Sequence, residues 1–106
     1  MTKHDNVSQE GIMKATEFVK KFGWVKTKSV LSEALKYRLT DKFTYNTLEE
    51  QWELYVEDLK RLVESHELVK EHGSLERAKI YARSIYTAPE VIVRLEQAIA
   101  DVEACQ

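Results

Sequence analysis

Residues 39–55 read Leu39-Thr-Asp-Lys-Phe-Thr-Tyr-Asn46 and then Thr47-Leu-Glu-Glu-Gln-Trp-Glu-Leu-Tyr55. The first half is the least helical stretch of the chain. Its Thr, Asp and Asn side chains compete for backbone hydrogen bonds, and its aromatics are not at helical spacing. It predicts the longest loop, residues 39–46, with Phe43 and Tyr45 pinning that loop to the core. The second half opens on Thr47-Leu48-Glu49-Glu50, a capping box. The Thr hydroxyl satisfies a free first-turn amide, and Glu50 reaches back to the cap amide. From there the spacing predicts the longest helix, running to His72. Leu48, Trp52, Tyr55, Leu59, Leu62 and Val69 follow alternating steps of four and three, with His66 in the one gap. Val56 and Val63 widen this stripe to the width of a helix packed in a globular bundle. Read as loop plus helix, this region leaves no strand, and the fold class is all-α.

A short motif occurs twice, once on either side of this region. Residues 17–28 read Glu-Phe-Val-Lys-Lys-Phe-Gly-Trp-Val-Lys-Thr-Lys, and residues 67–79 read Glu-Leu-Val-Lys-Glu-His-Gly-Ser-Leu-Glu-Arg-Ala-Lys. Each reads as a helix end, a Gly stop and a new helix, because glycine takes the left-handed cap without strain. Before Gly23, a helix is predicted from Ser8 to Phe22 with Ile12, Ala15, Phe18, Val19 and Phe22 on one face. After it, a helix from Trp24 or Thr27 to Arg38 turns Val30, Leu31, Ala34 and Leu35 inward. After Gly73, Ser74 caps a helix to Tyr86 with Leu75, Ala78, Ala82 and Ile85 on one face. Thr87-Ala88-Pro89-Glu90 reads as a second capping box, with Pro tolerated in the first turn. The last helix, to Ala104, buries Ile92, Leu95, Ile99 and Val102. The expectation is one helical domain over residues 1–106, a bundle of four to five helices with corners at Gly23 and Gly73 and a frayed end at 1–7. Two copies are too few for a solenoid.

The 106 residues suit one domain, with 43% apolar residues for a core and 32% charged residues for a soluble surface. The single cysteine, Cys105, can form no internal disulfide and reads as an exposed thiol. No run approaches the roughly 20 apolar residues of a membrane span, and residues 1–8 carry no apolar signal core. The expected location is the cytoplasm.

The composition shows no catalytic or metal signature. His66 and His72 are six apart and fall on different sides of a helix, whereas a helical metal pair needs three or four. Carboxylate pairs at four-residue spacing, such as Glu49/Glu53 and Glu53/Glu57, have no Glu-x-x-His partner. No Gly-rich phosphate loop or nucleophile signature is present. The expectation is a non-enzyme with no cofactor and no bound metal.

Charge is the remaining functional signal. The net charge of −2 covers nine Lys/Arg against five Asp/Glu in residues 1–47, and three against eight in residues 48–73. Two surfaces follow. Glu49, Glu50, Glu53, Glu57, Asp58 and Glu64 form a candidate protein-binding face on the predicted long helix, able to steer a basic partner. Lys20, Lys21, Trp24, Lys26 and Lys28, around the Gly23 corner, form a candidate nucleic-acid-binding face. A third reading is a homodimer sealed through residues 48–72.

The segment Glu67–Lys79, the ending Leu95–Gln106 and the block Ala15–Gly23 resemble small accessory proteins of lambda-like temperate phages and prophages of enteric bacteria. The similarity spans about half of the chain in three short blocks. It implies a cytoplasmic, non-enzymatic protein that binds a host protein, as a regulator or as an inhibitor of nuclease or defence machinery. It transfers no functional residue.

Overall fold

In a computed structural model, the chain runs α1 (Thr2–Lys36), β1 (Lys42–Asn46), β2 (Gln51–Tyr55), α2 (Val56–Glu71), α3 (Leu75–Ala82) and α4 (Pro89–Ala104). Side chains are described for residues 11–106. The frayed end expected at 1–7, and the His4 within it, fall outside those residues. The chain divides into two compact units, Met1–Arg61 and Leu62–Gln106. The protein is mostly helical, but it is not purely all-α.

The correction falls on residues 39–55. β1 and β2 form an antiparallel hairpin with Phe43 opposite Leu54 and Tyr45 opposite Trp52. Residues 47–50, read as a helix cap, are the loop of that hairpin. Thr47 still accepts from the amides of Glu49 (3.2 Å) and Glu50 (2.9 Å). The Thr47 N–H, however, donates to the Glu50 carbonyl at 2.8 Å, which turns the chain back on itself. A hydroxyl on the amides two and three residues ahead is common to a helix cap and a turn. The missed signal is the period of two: Phe43 and Tyr45, then Trp52 and Leu54, line one face of the pair. Trp52 and Leu54 are buried, whereas Leu48, at the head of the proposed heptad, is fully exposed on the hairpin tip.

The hydrogen bonds at the two ends of the hairpin set its pattern. The Val56 N–H donates to the Asp41 carbonyl, and the Thr47 N–H to that of Glu50. Hydrogen-bonded pairs alternate in an antiparallel ladder. The bonded pairs are therefore 41/56, 43/54, 45/52 and 47/50. The amides and carbonyls of Lys42, Thr44 and Asn46 point away from β2.

α1 bends at Gly23, whose φ of 84° and ψ of 169° are non-helical. The corner stands where the motif put it. The Thr27 hydroxyl, fully buried, donates to the Gly23 carbonyl at 2.7 Å, across the first turn after the bend. Ala15, Phe18, Val19, Val30, Leu31 and Ala34 are buried as the spacing predicts; Leu35 is exposed.

The end of α1 is a Schellman motif. Arg38 takes φ 62°, its N–H donates to the Leu35 carbonyl, and the Leu39 N–H donates to that of Ala34. A side chain in this left-handed position costs about 1–2 kcal/mol, partly offset because glycine loses more entropy on folding. Arg38→Gly is therefore expected to stabilise by about 0.5–1 kcal/mol. A lower midpoint in chemical denaturation would refute this reading of the cap.

In the second unit, Gly73 has φ 97°, and Ser74 caps α3 by accepting from the Arg77 N–H at 3.1 Å. α3 is shorter than predicted. It ends at Ala82, leaving Ile85 and Tyr86 almost fully exposed. Thr87 is not the cap of α4. Its hydroxyl donates to the Tyr81 carbonyl at 2.8 Å, and Ala88 is the cap residue, with Pro89 opening the helix. Cys105, expected to be exposed, is buried. It continues the three- and four-residue steps of Leu95, Ala98, Ile99 and Val102 on the inner face of α4. Asp101 lies on this buried side too. Its carboxylate accepts from the Ser65 hydroxyl at 2.7 Å and from the Gln97 amide at 3.1 Å. Those bonds offset the desolvation of a buried acid.

Candidate protein-binding surface

The first unit is organised by four rings. Phe18, fully buried, has its centroid 4.6 Å from Phe22, 5.4 Å from Tyr45 and 5.5 Å from Trp52. Phe22 meets Tyr45 and Trp52 edge-on at 5.9 and 5.8 Å. The helical period places Phe18 and Phe22 four apart on one face, and the strand period places Tyr45 and Trp52 opposite each other, so the two periods meet in one cluster.

This cluster governs the lysines of the candidate nucleic-acid-binding face. Lys14 lies 5.5 Å from the Trp52 ring centroid, Lys21 lies 6.0 Å from that of Phe22, and Lys26 lies 6.0 Å from that of Tyr45. Lys21 also donates to Glu50 at 2.6 Å. Lys20 is exposed; Trp24 and Lys28 are half-buried, and each makes contacts of its own. The Lys21 ammonium is thus directed at Phe22 of α1 and at Glu50 of the hairpin loop, and that of Lys26 at the Tyr45 ring of β1.

The six acidic residues are not on one helix. Glu49 and Glu50 are in the hairpin loop, Glu53 is in β2, and only Glu57, Asp58 and Glu64 are in α2. Several are balanced locally. Glu53 lies 3.8 Å from Lys42, Glu57 lies 3.8 Å from Lys60, and Glu50 holds Lys21. The helical seam proposed for a homodimer over 48–72 is likewise interrupted, since residues 48–55 are a turn and a strand.

Two of these carboxyls are perturbed in opposite directions. Hydrogen bonds from Lys21 and then Trp52 hold Glu50 below its ordinary 4.5. Burial is the main cause that raises Asp58 above 3.8; Glu57 adds to the rise and Arg61 opposes it. The lowered acid stabilises the fold above its unfolded pKa and loses that contribution as pH falls through its folded value. The raised acid does the reverse, since ionising it above 3.8 works against the fold. Glu50→Gln is expected to flatten the loss of hairpin stability on acidification below about pH 4.5. If thermal midpoints of the variant and the parent fall in parallel from pH 5 to about pH 3, the bridge carries no linkage.

The feature that the sequence did not single out is a groove. It has a volume of about 300 Å³ and runs between the second half of α1 and β1. Val30, Ala34, Tyr37, Leu39, Phe43 and Tyr45 give it an apolar floor and wall, with Lys26 and Glu33 on its rim. Tyr37 and Leu39 are exposed, and Phe43 and Tyr45 are half-buried. A reading of 42–46 as a strand would have exposed it, because only a strand leaves an open edge beside the helix.

Among the described residues, no group of His, Cys, Asp and Glu is placed to hold a metal ion, and no helix is long and apolar enough to cross a membrane. The chain matches no family model, no curated protein and no solved structure.

Proposed function

We propose that this chain is a small non-enzymatic accessory protein that acts in the cytoplasm by binding another protein. Its sequence blocks resemble phage-type accessory proteins, and on that reading the partner is host machinery that the protein regulates or inhibits. The observation that carries the proposal is the apolar groove beside β1, together with Val25 and Leu48, which the first unit leaves exposed. An exposed apolar surface rimmed by polar residues marks an interaction site. Exposed acids such as Glu49 and Glu64 add steering toward a basic partner. Nucleic-acid binding through Lys20, Lys21, Trp24, Lys26 and Lys28 is less well supported, because Lys21 and Lys26 are engaged by Glu50 and by aromatic rings.

The test is a pull-down with tagged protein from bacterial lysate, with and without nuclease, followed by mass spectrometry. The expected result is one protein retained after nuclease treatment and lost with Leu39→Glu in the groove wall. Recovery that disappears with nuclease, and binding to DNA or RNA that weakens steeply with salt, would overturn the proposal in favour of the lysine cluster.

A further inference from the structure

We propose that the groove binds an extended peptide segment of the partner as an added strand on the outer edge of β1. This deepens the protein-binding reading and rests on it. The backbone provides the first argument. The amides and carbonyls of Lys42, Thr44 and Asn46 face away from β2, and the sheet ends at β1. Among the described residues, no strand pairs with that edge. Thr44 lines the groove although its side chain stands on the opposite face from Phe43 and Tyr45. An edge of open donors and acceptors along an apolar slot is what an incoming strand needs: ladder hydrogen bonds on one side and pockets for alternate side chains on the other.

The rim sets the chemistry of the occupant. Residues 37–41 join the end of α1 to the start of β1, so helix and strand run back in opposite directions. Lys26, above the Tyr45 ring, stands at the far end of the strand. Glu33, Tyr37 and Leu39 stand nearer its start. Neither Lys26 nor Glu33 pairs with an opposite charge among the described residues. The matching segment therefore carries apolar side chains at alternate positions toward Val30, Ala34, Phe43 and Tyr45. It has an acid at the Lys26 end and a base at the Glu33 end.

The test uses pooled synthetic heptapeptides, apolar at alternate positions, with an acid at one end and a base at the other in both orders. Fluorescence anisotropy measures their binding to the full chain. The decisive variant is Thr44→Pro, which deletes an outward-pointing N–H and leaves the β1–β2 ladder intact, since proline is tolerated on an open edge. Circular dichroism and the thermal midpoint verify that it folds. Binding is expected to fall at least tenfold with Thr44→Pro and with Lys26→Glu, and to stay within twofold with Thr44→Ala. N-methylating alternate peptide amides is expected to abolish binding in one register and to spare it in the other.

Equal binding by folded Thr44→Pro would overturn strand addition. So would a chain that self-associates in solution through this edge, with Thr44→Pro restoring the monomer; the occupant would then be a second copy. Failure of every peptide while Thr44→Pro still captures the nuclease-resistant partner from lysate would reject this mode and leave the protein-binding reading standing. Failure of both peptide binding and lysate capture would reject the two together.

Discussion

Phe18→Ala is expected to destabilise the first unit by about 3–5 kcal/mol, the range for truncating an enclosed aromatic ring. Phe18 is fully buried and touches three other rings within 5.5 Å, two of them edge-on. The loss combines the apolar transfer term, the cavity left between helix and hairpin, and edge-to-face contacts worth about 0.5–1.5 kcal/mol each. A domain of this size has only about 5–15 kcal/mol in total, so the variant approaches the folding threshold. Both tryptophans, Trp24 and Trp52, lie in the first unit, so intrinsic fluorescence during denaturant unfolding reads that unit selectively. Phe18→Leu keeps most of the volume and is expected to cost less than half as much. A loss below about 1 kcal/mol for the alanine variant would mean that the ring is not the centre of the cluster.

Gly23→Ala is expected to cost about 1–3 kcal/mol, although the new methyl meets no atom within 4 Å. The penalty is in the backbone alone. A φ of 84° with ψ of 169° lies in a region that only glycine occupies freely. Relieving the strain by rotating φ would straighten α1. It would also move Phe22 and Lys21, one and two residues before the bend, away from Tyr45, Trp52 and Glu50. The discriminating comparison is D-alanine at position 23, introduced by chemical ligation. It has the same volume but the mirror-image backbone preference, so it should fold as well as glycine. Equal losses for L- and D-alanine would show that crowding, not conformation, selects glycine there.

Both substitutions bear on the proposed groove, since Val30 and Ala34 reach it only because the chain resumes its helix after Gly23, and Tyr45 holds its place partly through Phe18. A groove variant that loses binding while keeping its fluorescence midpoint separates recognition from stability. Phe18→Ala and Gly23→Ala are expected to lose both together.

Much of the helical architecture was legible because its causes are local. The three- and four-residue steps of Ala15, Phe18 and Val19, and of Leu95, Ile99 and Val102, describe one face of a helix wherever that helix is placed. The stops at Gly23 and Gly73 follow from glycine's access to positive φ, and the Ser74 cap follows from a hydroxyl three residues ahead of an amide. The same local chemistry misled at Thr47, where the hydroxyl bonds that start a helix also close a turn. At Thr87 the pattern of a capping box is present, but the hydroxyl is bonded to the Tyr81 carbonyl instead. Cys105 read as exposed from its place at the chain's end, yet the period of α4 carries it inward.

Local chemistry thus accounts for the mostly helical character of the chain and for the breaks at Gly23 and Gly73, since capping, backbone freedom and the 3.6-residue period act within a few residues. The state of residues 42–55 depends on packing between distant parts of the chain. Trp52 belongs both to a helical stripe with Tyr55 and to a strand alternation with Leu54. The choice was made by burying Trp52 and Tyr45 against Phe18 and Phe22, contacts more than twenty residues distant in the chain. That choice also created the open edge of β1 and the groove beside it, and so the surface on which the proposed function rests.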